Sequence, residues 1–295
     1  MAIGTLGAWG LAARPKTLTA AAAPVIVGTS LAAYHGALAL LPALAALLGA
    51  ILIQIATNLA NDYYDFVRGG DTAERVGPVR VTQAGLIAPA TVRRAMIVVL
   101  VSAFVPGAYL VSVAGWPIVV IGLVSLACAV LYTGGPYPLA YHGLGDLFVF
   151  VFFGLVAVGG TYYVQALAWP ADALLAGAGL GALSTALLVV NNLRDVRTDT
   201  LAGKRTLAVR LGPRATKVEY ALLLALAAAV PVVGVASRGW PAATLAALLV
   251  APLCVAPLRT VFGHTDVREL LPALGATARV VAAYGLLLAL GFTLA

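Results

Sequence analysis

Nine apolar runs separated by short polar breaks account for most of the chain, at 18–34, 40–61, 91–113, 116–133, 146–168, 172–193, 214–236, 240–260 and 268–294. An α-helix needs about 20 residues to cross roughly 30 Å of hydrocarbon at 1.5 Å per residue. The pattern therefore predicts an all-α, multi-pass membrane bundle of about nine transmembrane helices around a central cavity, in one domain covering residues 1–295. Residues 1–17 precede the first run. They are apolar around Trp9 and then carry Arg14, Pro15 and Lys16. A secretory signal has its positive charges before its apolar part, so the reversed order here predicts a short interfacial segment and no cleaved leader.

Composition agrees with the pattern: 62% of the 295 residues are hydrophobic and only 10% charged, which excludes an ordinary soluble domain. The two cysteines, Cys128 and Cys254, both fall inside apolar runs and read as packed thiols, not as a disulfide pair or a metal site.

A net charge of +7 raises the question of a nucleic-acid partner, and the placement of the charges answers it. Arg14 and Lys16 precede the first span. Arg68, Arg75, Arg80, Arg93 and Arg94 follow the second, and Arg194, Arg197, Lys204, Arg205, Arg210, Arg214 and Lys217 follow the sixth. Arg259 and Arg268 lie in the eighth loop. The opposite loops hold only Arg238, and Arg279 lies within the last span. By the positive-inside rule the N-terminus and the even-numbered loops face the cytoplasm. The basic excess is thus an orientation signal, the interleaved aromatics of an RNA binder are absent from these loops, and no nucleic-acid partner is expected.

Two stretches break the apolar pattern in the same way: TNLANDYYDFVRGGD from Thr57, and VNNLRDVRTDTLAGKRTLAVRLG from Val190, which opens with Asn191 and Asn192. If each helix continues past its hydrophobic part, Asn58, Asp62 and Asp65 form one column at i, i+4 and i+7. Asn192, Asp195 and Asp199 form another at i, i+3 and i+7. Stacked carboxylates repel, and an unpaired one near hydrocarbon is costly, so a column of them makes sense around a bound cation. Mg²⁺ suits such a place, because it accepts one or two carboxylates and fills its other positions with water and phosphate oxygens. Arg68, Arg75 and Arg80 beyond the first stretch, and Lys204, Arg205 and Arg210 beyond the second, are placed to hold a diphosphate. The competing reading is ordinary solvated loop charge; the repetition of the pattern counts against it.

The fourth loop, TGGPYPLAYHGLGD from Thr133, lacks Lys and Arg although it should be cytoplasmic, and its Tyr137, Tyr141, His142 and Asp146 are within reach of a shared site. Phe148, Phe150, Phe152, Phe153, Tyr162 and Tyr163 crowd the fifth span, either lining a cavity for a carbocation or packing against lipid. Arg279 either snorkels to the surface or points into the cavity.

With these residues in view, the chain resembles the UbiA superfamily of intramembrane aromatic prenyltransferases, and within it the branch that prenylates 1,4-dihydroxy-2-naphthoate in menaquinone biosynthesis. The likeness is carried by ARPKTLTAAAAPVIVGTSLA from Ala13, NLANDYYDFVRGGD from Asn58 with RVGPVRVTQAG from Arg75, YTGGPYPLAYHGLGDLFVFVFFG from Tyr132 and NNLRDVRTDTLAGKRTLAVRLG from Asn191, with the weaker TARVVAAYGLLLALG near the C-terminus. The resemblance implies a nine-helix prenyltransferase of the bacterial cell membrane, with its active site open to the cytoplasm. It implies that Asp62, Asp65 and Asp71 with Asn58 and Asn61 form one half of a Mg²⁺–diphosphate site. Asp195 and Asp199 with Asn192 form the other, and Lys204 and Arg205 hold diphosphate oxygens. The first motif departs from the superfamily's commoner pattern: Gly69 stands where a further aspartate is usual, and the acid comes at Asp71. His142 stands where Lys or Arg is expected.

The implied reaction moves a polyprenyl group from polyprenyl diphosphate to the ring carbon bearing the carboxylate, with loss of CO2 and diphosphate. Another aromatic acceptor, such as 4-hydroxybenzoate, is the first alternative. A cation-coupled transporter is the second, although its ion sites would lie nearer the bilayer midplane than these helix-end acids.

Overall fold

The computed structural model describes residues 4–71 and 76–294, so Arg75 lies outside the described residues. Among these the chain is built of helices: α1 Thr5–Ala13, α2 Pro15–Tyr34, α3 Leu40–Val67, α4 Pro89–Ala114, α5 Trp116–Leu131, α6 Gly145–Ala166, α7 Ala171–Leu201, α8 Leu207–Arg238, α9 Ala242–Gly263 and α10 Val267–Thr293. Eight of them are long and apolar enough to cross a bilayer, and α5, with 16 residues, is a shorter apolar helix. Counting α5 agrees with the nine spans expected. α1 is the short leading segment. It buries Ala8 and Ala12 against Leu59 and Ala60 of α3 and Val92 of α4, and Arg14, in the left-handed conformation, turns the chain into α2, where Pro15 occupies the first helical position.

The spans follow the apolar runs closely, but three boundaries carry information. α3 and α7 continue as helix well past residues 61 and 193, where their apolar runs end, to Val67 and Leu201. At 28 and 31 residues they are about 42 and 46 Å long, more than the hydrocarbon thickness, so their last turns project beyond it. α8 begins earlier than expected, at Leu207, because a single amphipathic turn precedes a kink where Gly212 takes φ +79 and Pro213 follows. Three spans lie between α3 and α7, so both helices run in the same direction and end on the same face of the bundle.

α7 is the centre of the bundle and its most buried span. Helices in lipid gain little from the hydrophobic effect and associate through close packing, which small residues permit. The tightest approach is between α6 and α7: a Cβ on Gly154 would come within 2.4 Å of the Gly177 carbonyl and 2.6 Å of Gly181 Cα. α6 itself is interrupted by a π-helical turn at Val151–Val156. The large apolar side chains left on the outside, such as Leu48, Val98, Val105, Leu222 and Leu253, form the surface expected to face lipid. Arg279 is on an exposed face of α10 and not on the cavity wall, which favours the snorkelling alternative.

Candidate active site

The projecting ends of α3 and α7 close over a cavity of about 1090 Å³. Its polar end is lined by Asn58, Asn61, Asp65 and Arg80 on one side and Asn191, Asn192 and Lys204 on the other. From there it runs between α2, α3, α4, α5 and α6 along an apolar wall. One space therefore joins the two motifs.

On the α3 side, Asp65 is the acid that reaches the cavity. Its Oδ2 lies 3.1 Å from Arg80 Nη2, and its Oδ1 accepts the Tyr141 hydroxyl at 3.2 Å. Asp71 adds a second carboxylate to the same guanidinium, with Oδ2 3.2 Å from Arg80 Nε. Arg80 is buried between them, and its Nη1 has no hydrogen-bond partner among the described residues. Asn58 is held by Gln54, which donates to its Oδ1 at 3.2 Å, and it donates to the Ala13 carbonyl and Thr17 Oγ1, both at 2.9 Å. Asn61 accepts from Thr133 Oγ1 at 3.0 Å.

Asp62, expected among the metal ligands, is engaged by backbone. It is buried beneath the loop that follows α3 and, like Asp195 and Asp199, is not itself on the cavity wall. Its Oδ2 accepts the Val81 N–H at 3.0 Å and its Oδ1 the Thr82 N–H at 2.9 Å. Both oxygens of Asp62 thus fix the segment that delivers Arg80 to Asp65. The i, i+3 spacing that puts two acids on a helix surface does not say that one turns to the cavity and the other to a loop.

On the α7 side, Arg194 grips Asp195 with Nε–Oδ1 at 2.7 Å and Nη2–Oδ2 at 2.6 Å, and also donates to Asn191 Oδ1 at 2.8 Å. This bidentate pair was not anticipated; the only signal for it was the adjacency of the two residues in sequence. Lys204 turns back onto Asp199, with Nζ 3.7 Å from Oδ1 and its N–H donating to the Asp199 carbonyl at 2.8 Å. Arg205, expected to hold diphosphate, is exposed and absent from the cavity wall, and its backbone N–H donates to the Tyr141 carbonyl of the fourth loop at 3.1 Å.

The fourth loop is what couples the two halves. A single 3-10 turn, Leu139–His142, presents Tyr141 inward. Its ring has Lys204 Nζ and Arg68 Cζ each 5.6 Å from the centroid. Burial, then the Asp65 carboxylate it bonds, pushes the Tyr141 hydroxyl above the ordinary tyrosine range, so it remains a donor. Tyr137, named beside it as a candidate, points elsewhere: it is exposed and stacks on His142 at 3.5 Å between centroids.

Among the described residues, no three acidic, histidine or cysteine side chains stand close enough to hold an ion by themselves. The donor set fits Mg²⁺ all the same. It consists of hard oxygens from carboxylates and asparagine amides, and this ion takes one or two protein carboxylates and leaves its other positions to water and phosphate.

These features define a multi-pass helical membrane protein whose cavity is acidic and basic at one end and apolar along its length. The UbiA prenyltransferase family profile matches residues 21–270, and the chain belongs to that family. It is 41% identical over 281 residues to the 1,4-dihydroxy-2-naphthoate octaprenyltransferase of Mycobacterium tuberculosis, covering 95% of each chain. It is 39% identical over 298 residues to the enzyme of the same name from Escherichia coli, covering 97% of this chain and 95% of that one. Among solved structures, the apo UbiA homolog from Aeropyrum pernix superposes with a TM-score of 0.72 at 16% identity, over 93% of this chain and 97% of that one. A UbiA homolog from Archaeoglobus fulgidus bound to GPP and Mg²⁺ superposes at 0.61 and 16% identity, over 95% and 99%.

Proposed function

We propose that this protein transfers a polyprenyl group from polyprenyl diphosphate to 1,4-dihydroxy-2-naphthoate, releasing diphosphate and CO2 and giving demethylmenaquinol. The observation that carries the reading is the cavity itself, which joins anion-holding and acid groups at one end to an apolar channel between helices at the other. A lipid-soluble diphosphate matches both ends. The relatives named for this reaction, alike over nearly their whole length, support the acceptor and the transfer.

Asp65 on the cavity wall, with Asp195 and Asp199 buried on α7 beside it, are the residues that would hold Mg²⁺, and the UbiA homolog from Archaeoglobus fulgidus bound to GPP and Mg²⁺ supports that assignment. When bound, the ion neutralises charge that builds on the departing diphosphate. Arg80 and Lys204, both on the cavity wall, neutralise further charge on the same group where it develops. Tyr141 keeps Asp65 oriented. The apolar wall excludes water from the allylic cation, and Phe152 and Phe153, which line it, offer their π faces at about 0.5–2 kcal/mol each. The acceptor ring attacks this cation, and the bond to its carboxylate breaks as CO2 leaves. We place the motif end of the bundle, and the N-terminus, on the cytoplasmic side of a bacterial cell membrane from the distribution of Lys and Arg.

The test is prenyl transfer by the purified protein in detergent with Mg²⁺, offered dihydroxynaphthoate and 4-hydroxybenzoate in parallel. Prenylated naphthol and released diphosphate are expected with the first; prenylation of the benzoate alone would overturn the acceptor assignment.

A further inference from the structure

Below the acid and base groups just described, the cavity contains a second polar patch that the transfer of diphosphate does not use. Asp146 lies in the first turn of α6 and is 6% exposed; Ser184 lies in the middle of α7 and is 3% exposed. Both line the cavity, and among the described residues neither Asp146 Oδ2 nor Ser184 Oγ has a hydrogen-bond partner. An unpaired buried polar atom costs free energy, and two of them on one wall of an otherwise apolar space point to a polar ligand.

Their heights in the bundle coincide. Thr185, next to Ser184, donates from Oγ1 to the Asp146 carbonyl at 3.4 Å, which ties this turn of α7 to the start of α6. Ser184 lies two turns before Asn191 on the same face of α7, about 10 Å along the axis from the diphosphate end. Tyr132 lines the same cavity. Its hydroxyl is 2.9 Å from where a Cβ of Gly145 would sit, so the glycine leaves the room this hydroxyl occupies. One and two turns below Asp146, Val149 and Phe153 continue the same wall with apolar side chains.

From this arrangement we infer that Asp146 and Ser184 form the subsite for a hydroxyl group of the aromatic acceptor. The Asp146 carboxylate accepts the phenolic O–H and the Ser184 hydroxyl pairs with the same edge of the ring. The inference rests on the proposed reaction and adds to it the residues that select a hydroxylated ring. A carboxylate hydrogen-bonded to a phenol also raises electron density in that ring, the property needed for attack on a cation, and a site built to pair with a hydroxyl discriminates strongly against an analogue lacking it.

The experiment is steady-state prenyl transfer by the full-length protein in detergent, comparing wild type, Asp146→Asn and Ser184→Ala. The acceptors are 1,4-dihydroxy-2-naphthoate and 1-hydroxy-2-naphthoate, with polyprenyl diphosphate varied separately. Asp146→Asn should raise the acceptor KM roughly 10- to 100-fold, leave the KM for polyprenyl diphosphate unchanged, and shrink the preference for the dihydroxylated ring. Ser184→Ala, a smaller change that spares the helix, should move the same two quantities in the same direction by about threefold to tenfold. A residue that only supports the fold would lower kcat and thermal stability without altering that preference, and this result overturns the inference. So does an unchanged acceptor KM in both variants. Wild-type protein that prenylates only some other phenol would instead refute the naphthoate reading, and the same variants assayed on that phenol and its deoxy analogue would then decide the subsite.

Discussion

The hydroxyl of Tyr141 donates to Asp65 Oδ1 over 3.2 Å, and the carbonyl of the same tyrosine accepts the Arg205 N–H at 3.1 Å. A single residue of the fourth loop thus fastens the end of α3 to the segment after α7. The two acidic motifs are far apart in sequence, and this tyrosine fixes how they stand to one another.

Replacing Tyr141 by Phe keeps the ring under Lys204 and Arg68 and removes only the donor to Asp65. A hydrogen bond to a charged group contributes about 1.5–3 kcal/mol, so kcat/KM for polyprenyl diphosphate should fall roughly 10- to 100-fold with the fold intact. Wild-type kcat/KM in this variant would remove Tyr141 from the site.

Asp65→Asn and Asp195→Asn should each abolish measurable transfer while the protein still elutes as folded material in detergent. Asp62→Asn should have an effect of its own, because Asp62 accepts two backbone N–H groups of the loop after α3. Weakening those bonds should loosen the loop by about 1–3 kcal/mol and speed limited proteolysis between residues 76 and 88. Proteolysis at the wild-type rate would contradict the anchoring role.

Chelation with EDTA should stop turnover, and added Mg²⁺ should restore it. Measured product formation that persists after exhaustive chelation would count against assigning Asp65, Asp195 and Asp199 as ligands.

Gly154→Ala puts a methyl group 2.4 Å from the Gly177 carbonyl, backbone that cannot rotate away. Overpacking of this kind costs about 1–3 kcal/mol, so thermal unfolding in detergent should shift downward by several degrees. An unshifted transition would mean that α6 and α7 separate freely.

Much of this molecule was legible in its sequence because lipid imposes few solutions. The apolar runs give most span boundaries to within a few residues, though not the early start of α8, and the continuation of α3 and α7 follows from acids spaced at helical intervals. Asp65 and Asp62 could not be told apart that way. Their roles depend on the loop carrying Val81, Thr82 and Arg80, whose path back over α3 is a tertiary event. Tyr137 and Tyr141 were equally open, since a 3-10 turn decides which of them faces inward. Arg205 matches a diphosphate-binding motif beside Lys204, yet of the two only the lysine is on the wall, because adjacent residues of a turn point in different directions.

The π turn at Val151–Val156 sets which side chains the far half of α6 turns to the cavity. In an uninterrupted α-helix Val164 would sit about 100° round the axis from Gly145, and a turn holding one extra residue cancels a rotation of that size. Gly145, Val149 and Phe153 line the cavity up to this turn, and Gly160 and Val164 line it beyond the turn, where the extra residue returns Val164 to the angle of Gly145. Removing a single residue from this turn would swing the far half of this lining toward the neighbouring helices, so the length of usable channel depends on an irregularity of hydrogen bonding that no side chain advertises.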